Sequence, residues 1–176
     1  MYLCHMTRAC FAGLLWRTAL GGQALADKPE TAAIDRPAPS FGLFDMSGKR
    51  RVLLDYRRSA VLAFSSWRSP ACRQALPAIA RLARGSRLDF LLIDVTRKLD
   101  AEAYRGISMT VLHDDDQAVA RLYQVETVPT CFLIDELRTL QYAGSVDGLR
   151  VALGQFQAGH RIAKPQVVTG GDPLPR

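Results

Sequence analysis

Residues 60–77 read Ala60-Val61-Leu62-Ala63-Phe64-Ser65-Ser66-Trp67-Arg68-Ser69-Pro70-Ala71-Cys72-Arg73-Gln74-Ala75-Leu76-Pro77. Ala60 to Phe64 is a continuous apolar run, the pattern of a strand covered on both faces. Ser69 is a good N-cap, and Pro70 suits the first helical position, where its missing N–H costs nothing. A helix is expected from Pro70 to about Arg84, with Cys72, Leu76, Ile79, Ala80 and Leu82 on its apolar side. Pro77 should kink this helix and Gly85-Ser86 should end it.

Working outward, Arg36-Pro37-Ala38-Pro39-Ser40-Phe41 is extended, because two prolines bar a helix. Phe41–Phe44 reads as a short strand, Met46-Ser47-Gly48-Lys49 as a turn and Arg51–Leu54 as a second short strand. Downstream, Leu88–Val95 is another buried strand, Asp100–Tyr104 starts a short helix and Met109–Leu112 is a short strand. His113-Asp114-Asp115-Asp116 is a turn expected to cap a helix from about Gln117 to Tyr123. Thr130–Ile134 is a strand following Val128-Pro129, and Thr139–Ala143 is an edge strand. Asp147 is expected to N-cap a last helix from Gly148 to about Ala158. The alternation implies an α/β fold with a central mixed β-sheet flanked by helices. The organisation expected is a candidate signal peptide at 1–26, a flexible lead at 27–36, one domain at 37–158 and a loose C-terminal tail at 159–176.

The chain has 176 residues, 48% of them hydrophobic and 23% charged, which suits one globular domain with tails. Its net charge of +6 is spread over scattered arginines. No basic stripe alternates with aromatics, so nucleic-acid binding is not indicated. The four cysteines (Cys4, Cys10, Cys72, Cys131) and three histidines (His5, His113, His160) do not form the close pairs that a metal site needs. No organic cofactor is indicated either.

In the candidate leader, Arg8 is a positive start, Ala9–Leu15 is apolar, and Ala24-Leu25-Ala26 has the small-x-small form of a cleavage site. Arg17 interrupts the apolar run, and Gly21-Gly22 weakens its end. Cleavage would make the mature protein extracytoplasmic, either periplasmic or secreted; without it the protein would be cytoplasmic. The apolar run is too short for a stable membrane span.

Three segments together resemble one family. Arg36-Pro37-Ala38-Pro39-Ser40-Phe41 followed by Ser47-Gly48-Lys49 is similar to the lead-in of redoxins. Phe64 to Pro77 aligns without a gap on the F-W-A-T-W-C-P-P-C-R-x-E-L-P segment of TlpA/ResA-type thioredoxins. Ala118–Val125 with Val128-Pro129-Thr130-Cys131-Phe132-Leu133-Ile134-Asp135 resembles their A-x-x-Y-x-V-x-x-V-P-T-x-F-L-I-D stretch. The chain is thereby identified as a member of the thioredoxin-like superfamily, of TlpA/ResA type, over residues 36–158. The resemblance implies a thioredoxin-like fold, thiol–disulfide oxidoreductase ancestry and a role in cell redox homeostasis. It also implies a cis-Pro129 facing the active-site turn, and substrate contacts from Val128, Pro129, Trp67 and Arg68. The family's nucleophilic cysteine falls on Ser69, and its second cysteine on Cys72.

A serine hydroxyl cannot attack a disulfide, and dithiol exchange needs a second thiol to resolve the mixed disulfide. Cys72 is the one thiol of this degenerate Ser-x-x-Cys turn. Its place near a helix N-terminus beside Arg68 and Arg73 favours the thiolate, whereas burial opposes it. Cys131, two residues after Pro129, is a candidate second thiol. Three functions follow. One is a monothiol redox role at Cys72 acting on protein thiols or disulfides. Another is non-catalytic binding of extended peptide segments in the groove beside Pro129. The third is peroxiredoxin-like peroxide reduction at Cys72. Two of these readings are enzymatic and one is not, so the sequence leaves enzymatic activity open.

Overall fold

The computed structural model describes residues 32–167 and 169–175. The candidate leader, with Cys4, Cys10 and His5, and residues 27–31 of the lead lie outside the described residues. The strands are β1 (Gly42–Asp45), β2 (Arg50–Val52), β3 (Ala60–Ser65), β4 (Asp89–Asp94), β5 (Thr110–His113), β6 (Thr127–Val128), β7 (Thr130–Ile134), β8 (Leu140–Gly144) and β9 (Asp172–Pro173). The α-helices are α1 (Pro70–Arg84), α2 (Ala118–Leu122) and α3 (Val146–Gln157). Seven strands form one sheet in the order β2-β1-β5-β4-β3-β7-β8, and β6 pairs separately with β9. β3, β4 and β5 run parallel, and the remaining pairings are antiparallel.

Side chains that alternate along a strand point to opposite faces. That rule divides the core in two. Leu62 and Phe64 of β3, Leu91 and Ile93 of β4, and Phe132 and Ile134 of β7 face Val119, Ala120 and Tyr123 of the α2 region. Their neighbours Val61, Ala63, Phe90, Leu92, Cys131 and Leu133 face Ile79 of α1 and Leu149, Ala152 and Leu153 of α3. All six residues of β3 are buried, as its unbroken apolar run implies. Full burial of each Leu, Ile or Phe contributes about 1.5–3 kcal/mol. On the α2 side, Phe64, Tyr123 and Phe132 pack with ring centroids 5.1–5.6 Å apart. The Tyr123 hydroxyl donates to the Pro39 carbonyl at 2.7 Å.

α1 spans the expected residues and runs through Pro77, with Ser69 as its N-cap. Four expectations need correction. First, α2 is shorter than Gln117–Tyr123, because Gln117 sits at φ 57°, a left-handed conformation that cannot continue a helix. The start of α2 is capped chiefly by Asp114, whose carboxylate accepts from Val119 N (3.1 Å) and Ala120 N (2.8 Å). Second, α3 begins two residues before Gly148 and is capped by Ser145, whose Oγ accepts from Gly148 N at 3.2 Å; Asp147 lies in the first turn.

Third, the described part of the lead is pinned. Asp35 N donates to Leu140 O (2.9 Å), and Leu140 N donates to Arg36 O (2.9 Å). Fourth, the C-terminal segment is not a loose tail. Ala143 N donates to Pro165 O (2.8 Å) and Val167 N to Ala143 O (3.0 Å), which satisfies part of the outer edge of β8. The segment then returns across the molecule as β9. The physical reason is the same in both terminal segments: backbone groups on strand edges need partners, and these segments supply them.

Asp114 is fully buried. Burial pushes its carboxyl above the ordinary range, and the two helix N–H groups oppose that shift. Asp114→Ala strands both donors, so we expect a loss of about 2–4 kcal/mol in urea unfolding at neutral pH. A loss below about 0.5 kcal/mol, the size of an ordinary surface substitution, would contradict this capping role.

Candidate active site

The site forms where β3 ends, α1 begins and the β6–β7 corner approaches. β3 delivers the turn Ser66–Ser69, whose shape is held by Ser69 N donating to Ser66 O at 3.0 Å and Arg68 N to Ser66 Oγ at 3.3 Å. Arg73 reaches back from α1 and donates to the carbonyls of Trp67 (2.9 Å) and Arg68 (3.0 Å). The Arg68 guanidinium lies 5.1 Å from the Trp67 ring centroid, within cation–π range. Trp67 Nε1 donates to Lys98 O at 3.3 Å. Trp67 and Arg68 thus form an ordered rim, with Arg68 and Arg73 exposed.

Ser69 makes the central polar contacts. Its Oγ accepts from Cys72 N at 3.0 Å, satisfying one of the orphan N–H groups of the helix start. The same hydroxyl donates to Asp172 Oδ2 at 2.6 Å, and Ala71 N donates to that oxygen at 3.3 Å. Asp172 lies opposite Val128 in the β6–β9 pairing, and Pro173 lies opposite Thr127. The Val128–Pro129 peptide bond is cis. Ser69 and Val128, far apart in sequence, are therefore bridged by one residue of the C-terminal segment.

Cys72 is only 2% exposed, and its Sγ accepts from Ser66 N at 3.3 Å. Cys131 is fully buried on β7 opposite Ala63. Both are free thiols. Cys72 belongs to the core on the α2 side and Cys131 to the core beneath α1 and α3. Burial, then the nearby Cys72, push the Cys131 thiol up to about 12.

Sequence reasoning missed three polar residues here. Asp172 had no signal beyond a Gly-Asp-Pro turn in an apparently loose tail. Asp94 and Tyr104 are the other two. Asp94, fully buried at the end of β4, accepts through Oδ1 from Thr96 N at 2.6 Å and from Thr96 Oγ1. Asp94 Oδ2 and the Tyr104 hydroxyl have no hydrogen-bond partner among the described residues. Burial first, then the Asp94 charge, push the Tyr104 phenol far up, and Cys72 adds to the effect. An aspartate ending a buried apolar strand, Asp94 after Leu91-Leu92-Ile93, was the available sequence signal.

The arrangement aims the Ser69 hydroxyl and the Ala71 N–H at one acceptor, the Asp172 carboxylate, and keeps one thiol sequestered beneath the turn. It does not present two thiols to each other across the Ser69–Cys72 turn.

Residues 34–143 match the AhpC/TSA family, and the chain belongs to it. The thiol-disulfide oxidoreductase ResA of Geobacillus thermodenitrificans is 29% identical over 135 residues, covering 70% of this chain and 77% of that protein. Among solved structures, an uncharacterized conserved protein from Geobacillus kaustophilus superposes with a TM-score of 0.70 at 20% identity, over 82% of this chain and 92% of its own. A putative thiol:disulfide interchange protein DsbE from Chlorobium tepidum gives 0.59 at 24% identity, over 64% and 85%. The fold is thioredoxin-like, and the chain is a redoxin similar to the thiol-disulfide oxidoreductases.

Burial of both thiols has a measurable consequence. With site-resolved mass spectrometry, iodoacetamide at pH 8 should label Cys72 and Cys131 in urea and leave both unlabelled over the same interval in the native protein. Labelling of native Cys72 at the rate of a free thiol, whose ordinary pKa is about 8.5, would show that its sulfur is accessible.

Proposed function

We propose that this redoxin binds extended protein segments in the groove between the α1 N-terminus and the Val128-Pro129 corner, without dithiol exchange. The position of the family's attacking cysteine is taken by Ser69, whose hydroxyl has no redox chemistry. The observation that carries the reading is the pairing of Thr127 and Val128 with an extended segment that reaches Ser69. A strand added to exposed backbone is a general mode of peptide recognition. The rim residues Trp67 and Arg68 and the corner residues Val128 and Pro129 are the proposed contacts. Protein thiols and disulfides, the partners suggested by the similarity to ResA, would be bound by the same backbone groups. The leader-like residues 1–26 support an extracytoplasmic site of action. No described helix is long and apolar enough to cross a membrane.

A monothiol role for Cys72 is the second reading. It is favoured by one contact, the Ser66 N–H directed at Sγ. The burial of Cys72 weighs against it, and equally against peroxide reduction at that sulfur. Cys131 is buried more completely still.

Reduction of insulin by dithiothreitol separates the two. The wild-type chain should stay at the uncatalysed rate. Ser69→Cys, which restores a Cys-x-x-Cys turn, should accelerate it. Wild-type turnover that disappears in Cys72→Ala would instead establish the monothiol reading.

A further inference from the structure

The groove is already occupied by the chain itself, and the manner of its occupation defines what fits there. Residues 169–175 cross the site in extended form. Thr169 Oγ1 lies 2.6 Å from Thr127 Oγ1, so that one hydroxyl donates to the other. Leu174 N donates to Glu126 O at 3.3 Å, and the Leu174 side chain packs against the α2-side core. Gln117 Nε2 donates to Pro175 O at 2.5 Å. Between these anchors, Asp172 places a carboxylate oxygen on the Ser69 hydroxyl and the Ala71 N–H.

Several independent features suit this carboxylate. The first turn of α1 contains no acidic residue, and Arg68 and Arg73 stand exposed beside it. The positive end of a 15-residue helix favours an anion. The residue before the carboxylate is also constrained. A Cβ on Gly171 would lie 2.4 Å from the Val128 carbonyl oxygen, a backbone atom that cannot step aside. The ligand accepted here is thus an extended Gly-Asp segment followed two residues later by an apolar side chain, that of Leu174.

We propose that the Ser69–Val128 groove is a carboxylate-reading peptide site, and that residues 169–175 are its resident ligand, which a partner segment of the same chemistry must displace. The proposal rests on the peptide-binding reading above and adds to it the chemical class of the partner and a competitor in cis. The tethered segment competes at high effective concentration, so a free peptide meets a site that is mostly closed. Ser69, the residue that removes exchange chemistry, is here the reader of the carboxylate.

The test uses the full chain and a fluorescein-labelled peptide with the sequence of residues 169–175, followed by anisotropy. Gly171→Val and, separately, Asp172→Asn are expected to release the resident segment, seen as faster hydrogen exchange at the Leu174 amide. Each should bind the free peptide at least about tenfold more tightly than wild type does, since the tethered competitor is gone. A peptide with Asn in place of Asp172 should bind the released chains about tenfold more weakly, the scale of one charge-assisted hydrogen bond. Ser69→Ala in the Gly171→Val background should erase most of that Asp-over-Asn preference. Equal binding of the two peptides overturns the carboxylate reading and leaves peptide binding intact. Absence of binding to released chains overturns both readings. Unchanged Leu174 protection in both variants shows that these contacts do not hold the segment, and overturns the proposal.

Discussion

A helix that begins at the end of a buried sheet carries N–H groups with no carbonyl one turn back to receive them. In this protein that need is met at the start of α1, and the site is organised around how it is met. Ser69 Oγ accepts from the Cys72 N–H, and Asp172, from the C-terminal segment, accepts from the Ala71 N–H and the Ser69 hydroxyl. The turn held by Arg73, the β6–β9 pairing and the burial of Cys72 beneath the turn are all compatible with this one polar junction. Its acceptors are a hydroxyl and a carboxylate, both well suited to a helix start.

This junction lies in a frame that the chain shares with redoxins similar to thiol-disulfide oxidoreductases. The frame is the family's: parallel β3 and β4 at the centre, helices on both faces, and a cis-proline corner beside the first turn of α1. What exchange demands in addition is an accessible attacking thiolate and a partner thiol within reach. Here one thiol lies under the turn, and the other is enclosed between the sheet and α1 and α3, where a low-dielectric environment disfavours its ionisation. The residue at the helix N-cap is a serine, and its hydroxyl is engaged in hydrogen bonds to Cys72 N and Asp172.

Asp94 Oδ2 and the Tyr104 hydroxyl, without partners among the described residues, make this end of the sheet polar inside as well as at its rim. Buried groups of this kind are costly unless something answers them. Burial and the Asp94 charge push the Tyr104 phenol upward, and Cys72 adds to that push.

What the sequence determined by itself was local. The run Ala60–Phe64 made a strand buried on both faces, and Ser69-Pro70 started α1, because such signals act within a few residues through strand alternation and through the orphan donors of one helix turn. Gln117 escaped that reading because a left-handed φ is imposed by context, and Asp147 yielded the cap to Ser145, a residue equally able to hold it. The tertiary structure alone decided that Cys72 and Cys131 would lie in different cores, and that the apparently loose C-terminus would close over Ser69. The Ser69–Asp172 contact joins residues 103 positions apart. No periodicity or capping pattern encodes such a pair; it exists because the path of the folded chain along β8 and back past Val128 brings a carboxylate to donors that need one.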